Sequence, residues 1–316
     1  MITVIKPGPL TTVQDLGRFG YQAWGMPVSG VVDFYAAKAA NILVGNSPKA
    51  ALLEMTGEGG SFHFGEEALV AVTGGEATVS VNGENHPVWS SFLVPAGGLL
   101  RLGKITQGYR LYLSCQGGLD VPVVMGSRST YLPAQLGGLE GRILQAGDML
   151  YRLPAASNKY VPKTVPAKWR LPIKENPWCL AVTYGCQEDW FSAKDKDMLW
   201  KSTYVIDSET SRMSYHLQGP LLPPPKKELI SEPTGLGAVE VSADGSLLIV
   251  LPDHGTSRGF AKIAYVIHAH FYKLAQAAPG DKIIFKLIDV EKAADLYRQQ
   301  ELLLRSLEEA ITTNTL

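Results

Sequence analysis

The chain of 316 residues is short of several things, and each shortage removes a class of function. It has no surplus of positive charge: 29 basic residues face 30 acidic ones, for a formal net charge of −1. No Lys/Arg-rich run appears either, so nothing matches a phosphate backbone, and no nucleic-acid partner is expected. No apolar run approaches the ~20 residues that a helix needs to cross a bilayer. The opening residues, Met1-Ile2-Thr3-Val4-Ile5-Lys6-Pro7-Gly8, lack the basic-then-apolar pattern of a secretory signal. Cysteine is scarce. Cys115, Cys179 and Cys186 are odd in number and scattered, and each reads most simply as a small buried apolar residue. Such usage suits a reducing compartment. A cytoplasmic protein without a membrane partner is the expectation.

Several catalytic signatures are also missing. There is no Gly-x-x-x-x-Gly-Lys-Ser/Thr loop, no Gly-x-Gly-x-x-Gly leading from strand to helix, and no Gly-x-Ser-x-Gly elbow. The Met-Lys pair that centres a biotin attachment sequence is absent, so biotin, if used, arrives on another protein. His268 and His270 would share one side of a strand, but no further ligand with suitable spacing accompanies them. No metal is expected.

What remains is a folded chain, 46% hydrophobic and 19% charged. Short β-branched and aromatic runs recur at 69–72, 77–81, 91–94, 109–114, 179–184, 228–230, 239–241, 247–251 and 283–287. Asn82-Gly83 and Ala243-Asp244-Gly245-Ser246 read as hairpin turns between such runs. Many short strands at this spacing predict a barrel or sandwich. Only two helices are expected, at Phe34–Val44 and Asp289–Ile311. The second is amphipathic, suited either to packing on its own domain or to a groove on a partner. A Pro- and Lys-rich stretch over 156–177 reads as a linker. It separates 1–155 from 178–290, and 291–316 forms a C-terminal helix and tail.

The richest polar segment runs from Thr12 to Asn46. Gln14, Asp15 and Arg18 precede a turn containing Ser29 and Gly30, and Asp33 stands where a helix N-cap would stand. A second block, Gly126-Ser127-Arg128-Ser129-Thr130, offers hydroxyls and N–H groups to an anion. Arg128 can hold a carboxylate or phosphate with both arms of its fork, or pair with a structural carboxylate such as Asp15 or Asp148. In the second half, Gln187 and Asp189 follow a strand, Arg212 follows a polar turn, and Thr256 lies in the Gly-flanked loop 253–259.

These blocks resemble the allophanate hydrolase subunit 2 family of biotin-dependent carboxyltransferase-like domains. The resemblance rests on Thr12-Val13-Gln14-Asp15-Leu16-Gly17-Arg18, on Gly117-Gly118-Leu119-Asp120, on the Arg128 block and on Gly259-Phe260-Ala261-Lys262-Ile263-Ala264. It covers roughly residues 1 to 290 in order. The family includes the C subunit of the bacterial ATP-dependent 5-oxoprolinase and the matching half-domain of urea carboxylase. The sequence departs from the family pattern at Cys186, along Gly255, Ser257 and Arg258, and at Ala261, all near the expected substrate loop.

The resemblance implies a mainly β protein of two side-by-side cyclophilin-like barrels. It implies a component of an ATP-dependent hydrolase that opens a cyclic amide with partner subunits A and B, and that is inactive alone. Asp15, Arg128 and Asp189 would be catalytic. Gln14, Arg18, Ser29, Ser127, Thr130, Gln187, Arg212 and Thr256 would bind substrate in a cleft lined from both halves. ATP would be used by the complex, and a homo-oligomer is compatible. A biotin-dependent carboxyltransferase half and a non-catalytic partner of a kinase-inhibitor-like subunit are the other readings.

Overall fold

A computed structural model describes residues 1–155, 161–227 and 229–313. The chain divides into two compact units. Unit 1 comprises Met1–Arg18, Ser29–Ile173 and Glu301–Leu316, and unit 2 comprises Phe19–Val28 and Lys174–Gln300.

Unit 1 is a single ten-stranded sheet. Its strands are β1 (Ile2–Lys6), β2 (Leu10–Gln14), β3 (Leu52–Thr56), β4 (Ser61–Phe64), β5 (Ala68–Val81), β6 (Glu84–His86), β7 (Ser90–Val94), β8 (Gly98–Cys115), β9 (Leu119–Asp120) and β10 (Met149–Arg152). The order is β2-β3-β8-β4-β1-β10-β9, with β5 on β8 and both β6 and β7 on β5. The Asn82-Gly83 turn forms as expected. Both residues have positive φ (51° and 94°), as a two-residue turn matching strand twist requires. The runs 69–72 and 77–81 belong to one strand, whose register against β8 shifts between Gly74 and Val79. Bulges of this kind bend a long strand and let a sheet curl.

Helix α1 (Phe34–Leu43) covers this sheet, and its N-cap is Asp33, whose carboxylate accepts from Ala36 N. Its alanines 36, 37, 39 and 40 are buried with Leu43, so the backbone comes close to the strands, and Thr73 Oγ1 donates to Ala36 O at 2.7 Å. Of the Pro- and Lys-rich stretch, residues 156–160 lie outside the described residues. Beyond them Val165 and Trp169 are buried in the core of unit 1, and Trp169 Nε1 donates to Ser306 Oγ at 2.8 Å.

Unit 2 is a closed seven-stranded barrel. Its elements are β11 (Trp178–Tyr184), β12 (Tyr204–Ile206), β13 (Ser214–Gln218), β14 (Glu232–Pro233), β15 (Ala238–Val241), β16 (Leu247–Val250), β17 (Ser257–Arg258), β18 (Ala261–Val266) and β19 (Lys282–Leu287). The barrel runs β11-β18-β15-β16-β13-β12-β19 and closes where β11 pairs with β19 in parallel. Strands β14 and β17 form a separate pair that sets Glu232 opposite Arg258.

The structure corrects three expectations. Two further helices form, α2 (Ala193–Lys201) and α3 (Phe271–Gln276), beside the last helix, α4 (Val290–Thr312). Helix α2 buries only Leu199, so it has almost no apolar stripe, but Ser192 and Asp195 make a capping box that starts it. Helix α3 is buried at every position, which erases the 3.6-residue pattern. Leu229 and Ile230 are not in a strand, and Glu228 lies outside the described residues. Finally, His268–His270 is a 3-10 turn rather than a strand, so the two imidazoles do not share a face. His268 stacks edge-on to Tyr297, while His270 Nδ1 accepts from Ala181 N at 2.8 Å. Among the described residues no helix is long and apolar enough to cross a membrane.

His270 makes the barrel acid-sensitive. Burial, then the nearby Lys273 ammonium, pushes its pKa down from 6.5 to about 4, against a smaller opposing effect of Glu175. Between those values the unfolded chain takes a proton that the folded chain refuses. Stability therefore rises with pH across that window and is lost as pH falls through it. Buried His254 acts in the same direction. From pH 7 to pH 5 the wild type should lose roughly 1–2 kcal/mol more stability than His270→Gln does. Denaturant titrations at the two pH values measure this, and equal losses would show that His270 is not the sensitive group.

Candidate functional site

The polar motifs of unit 1 converge on the carboxylate of Asp15. Its Oδ1 accepts from Gly17 N (2.8 Å), Ser127 Oγ (2.6 Å) and Ser129 Oγ (2.6 Å). Its Oδ2 accepts from Arg128 N at 2.6 Å, and its own N donates to Ser129 Oγ at 2.9 Å. The Ser-Arg-Ser loop is thereby laced to the end of β2. Thr130 N and Oγ1 both donate to Val13 O, Gln14 Nε2 donates to Thr130 O at 3.1 Å, and Arg18 Nη2 donates to Ser129 O at 2.6 Å. Glycine is obligatory at two points of this knot. A Cβ on Gly138 (φ +54°) would lie 1.9 Å from Thr130 Oγ1, and one on Gly30 (φ +89°) would lie 2.8 Å from Gly17 N.

So Gln14, Asp15, Arg18, Ser127, Arg128 and Thr130 lie together. Ser29 precedes Gly30 at the knot's edge in a left-handed conformation (φ 55°), and its buried Oγ has no hydrogen-bond partner among the described residues. Gln14 Oε1 is also buried without a partner among them. The Arg128 guanidinium is about a quarter exposed, and its Nη2 lies 3.7 Å from Asp120 Oδ1. Asp148 is not its partner. That carboxylate takes both arms of Arg142 (2.8 and 2.9 Å), which holds it below the usual carboxylate range.

Unit 2 gathers a second cluster at one end of its barrel. Lys262 is buried, and its Nζ donates to Glu232 Oε1 (2.9 Å) and Phe260 O (3.3 Å). Gln187 braces this pair. Its Nε2 donates to the same Glu232 oxygen at 2.8 Å, and its Oε1 accepts from Lys262 N at 3.0 Å. The hydrogen bond from Lys262 is the main reason the Glu232 carboxyl is held below its usual range. Glu240, fully buried, faces Lys262 across β15 and β18 beside a register shift. It accepts from Thr234 Oγ1 (3.0 Å) and Arg258 Nη1 (3.1 Å). Tyr265 completes the group. Burial, then the neighbouring Cys186, Glu232 and Glu240, pushes its pKa up.

Within unit 2, Gln187 is part of this cluster. Thr256 joins its rim only through the backbone, accepting from Thr234 N at 3.1 Å. Asp189 is exposed on the 3-10 turn Glu188–Trp190. Arg212 is spent in a buried pair with Asp253 (Nε–Oδ2 2.9 Å). Sequence patterns point to no role for Lys262, Glu232, Glu240, Arg258 or Tyr265. The strand pairings β14–β17 and β15–β18 assemble them from distant positions, so no spacing rule reaches them. The one local sign is a lysine inside the otherwise apolar run Ala261–Val266. The assembled group can polarise an amide carbonyl and exchange a proton beside it. Among the described residues no group of three or more His, Cys, Asp or Glu side chains could hold a metal ion.

Comparison with known proteins places the chain among relatives of the same fold. The family described as carboxyltransferase domain, subdomain A and B, matches residues 24–287. The chain is similar to the C subunit of 5-oxoprolinase from Escherichia coli, with 34% identity over 306 residues covering 95% of this chain and 96% of that one. It is 32% identical to urea amidolyase of Saccharomyces cerevisiae, covering 97% of this chain but 18% of the yeast protein. The crystal structure of Kluyveromyces lactis urea carboxylase superposes with a TM-score of 0.91 at 31% identity, over 98% of this chain and 29% of that one.

The Asp15 knot generates a test. Asp15→Asn keeps an acceptor for Gly17 N and the two hydroxyls but puts an NH2 donor opposite Arg128 N, or the reverse if the amide flips, so at least one donor loses its acceptor. Leaving such donors unmet should destabilise the protein by about 2–3 kcal/mol, read as a lower thermal midpoint. An Asn variant of wild-type stability that has lost activity would instead give Asp15 a direct part in the chemistry.

Proposed function

The chain belongs to the carboxyltransferase domain family, and from that premise we propose that it is the C subunit of an ATP-dependent 5-oxoprolinase. The observation that carries this reading is the alignment with the Escherichia coli protein, which runs over nearly all of both chains. The overall reaction would convert 5-oxoproline, ATP and water to glutamate, ADP and phosphate. An unstrained lactam resists hydrolysis, and ATP, bound by the complex, supplies carbonyl activation by O-phosphorylation. The residues of this chain would do the rest. In unit 2 the buried Lys262 ammonium, aimed by Gln187 and Glu232, and the Tyr265 hydroxyl would stabilise charge developing on the ring amide. Asp189, exposed on its turn, would manage a proton at the ring nitrogen or water. In unit 1, taken by itself, the Arg128 fork would hold an anionic group, with Asp15 as a positioning residue that fixes its backbone.

A second reading has its own support, the TM-score of 0.91 to Kluyveromyces lactis urea carboxylase. There the same fold would serve as a carboxyltransferase half, polarising a carboxylated biotin carried by another protein.

The deciding experiment is a coupled assay on the purified chain with and without subunits A and B. Turnover of ATP that depends on 5-oxoproline should appear only with the partners present. Robust turnover by this chain alone, or urea-dependent activity with a biotin carboxylase in place of the partners, would overturn the proposal. In the active complex Arg128→Lys should lower turnover by about tenfold or more with the thermal midpoint unchanged, because an ammonium cannot reproduce a two-armed fork. Loss of fold instead of turnover would make Arg128 structural.

A further inference from the structure

Unit 2 contains a cavity of about 340 Å³ whose walls include Trp190, Pro224, Pro225, Lys227, Ala243 and Phe260. We propose that it seats the five-membered ring of the substrate, with Lys227 taking the ring's carboxylate. This deepens the oxoprolinase reading and rests on it.

Three observations carry the assignment. The first is the wall. Two aromatic side chains and two prolines present flat, apolar surfaces, which suit a small saturated ring. The second is the charge. Lys227 Nζ sits 5.1 Å from the centre of the Trp190 ring and makes no ion pair among the described residues. A ligand carboxylate beside Trp190 would give that ammonium an anionic partner. The side chains offer little beyond this to read a ligand edge. The hydroxyl of Ser242, which also lines the cavity, is already engaged with Asp244 and Ser246. A small ring bearing one negative group fits these side chains. The third is position. Phe260 lines the cavity while its carbonyl accepts from Lys262 Nζ, and Trp190 closes the turn that begins at Gln187 (N–O 3.0 Å). The cavity and the Lys262 cluster thus share the Phe260 and Gln187–Trp190 segments of chain.

The test uses the reconstituted complex, with L-5-oxoproline as substrate and 2-pyrrolidinone, the same ring without the carboxylate, as a competitive inhibitor. Lys227→Gln should raise KM for 5-oxoproline about tenfold with little change in kcat, the sign of lost uniform binding. The same variant should leave the inhibition constant of 2-pyrrolidinone unchanged, since that ring has nothing for Lys227 to hold. Ala243→Trp, at an exposed turn position lining the cavity, should fill it and weaken both ligands. An unchanged KM in Lys227→Gln, equal weakening of both ligands by it, or no inhibition by 2-pyrrolidinone overturns the inference while leaving the oxoprolinase reading intact. A wild-type complex without 5-oxoproline-dependent turnover overturns both.

Discussion

A carboxylate partly withdrawn from water has to be given hydrogen-bond donors, and that requirement organises the motif loops of unit 1. Asp15 meets it with two backbone amides and two serine hydroxyls drawn from loops more than a hundred residues apart in sequence. Four donors converging on one side chain fix the path of the Ser127–Thr130 loop against β2. The glycines at 30 and 138 follow from this. Once the loops are drawn together, no room remains for a Cβ between them.

Unit 2 meets the same requirement differently. Its acids face cations rather than amides, Glu240 and Asp253 buried and Glu232 about a third exposed. Glu240 has Arg258, Asp253 has Arg212, and Glu232 has Lys262. An ion pair removed from water yields little net stability, because desolvation offsets the attraction. Such pairs are held in place by the barrel around them. What they provide is a set of charges fixed before any ligand arrives, the condition under which electrostatic stabilisation of a reacting group is most effective.

Sequence and structure meet where chemistry is local. The Asn82-Gly83 turn, the Asp33 cap and the family motifs are readable because each depends on residues a few positions apart. The family reading and the mainly β fold follow from them. Helix α2 escapes because its sequence, Ala-Lys-Asp-Lys-Asp-Met-Leu-Trp-Lys, carries one buried residue, although the Ser192 and Asp195 pair that caps it is visible in the letters. Helix α3 escapes for the opposite reason, being buried all round. The Lys262 cluster depends on register. Whether Glu240 faces Lys262 is set by a shift between Val239 and Glu240, and no spacing in the sequence encodes it.

The final helix has a consequence for how the protein is made. Leu304, Leu307, Ala310 and Ile311 belong to the core of unit 1, whose first strand begins at Ile2. Between them in the chain lies nearly all of unit 2, whose barrel itself closes only when β19 reaches β11. During synthesis the core of unit 1 therefore stays without these four residues until unit 2 has been made. Residues made after unit 2 complete the core of unit 1, so the two units are not finished in the order in which they begin.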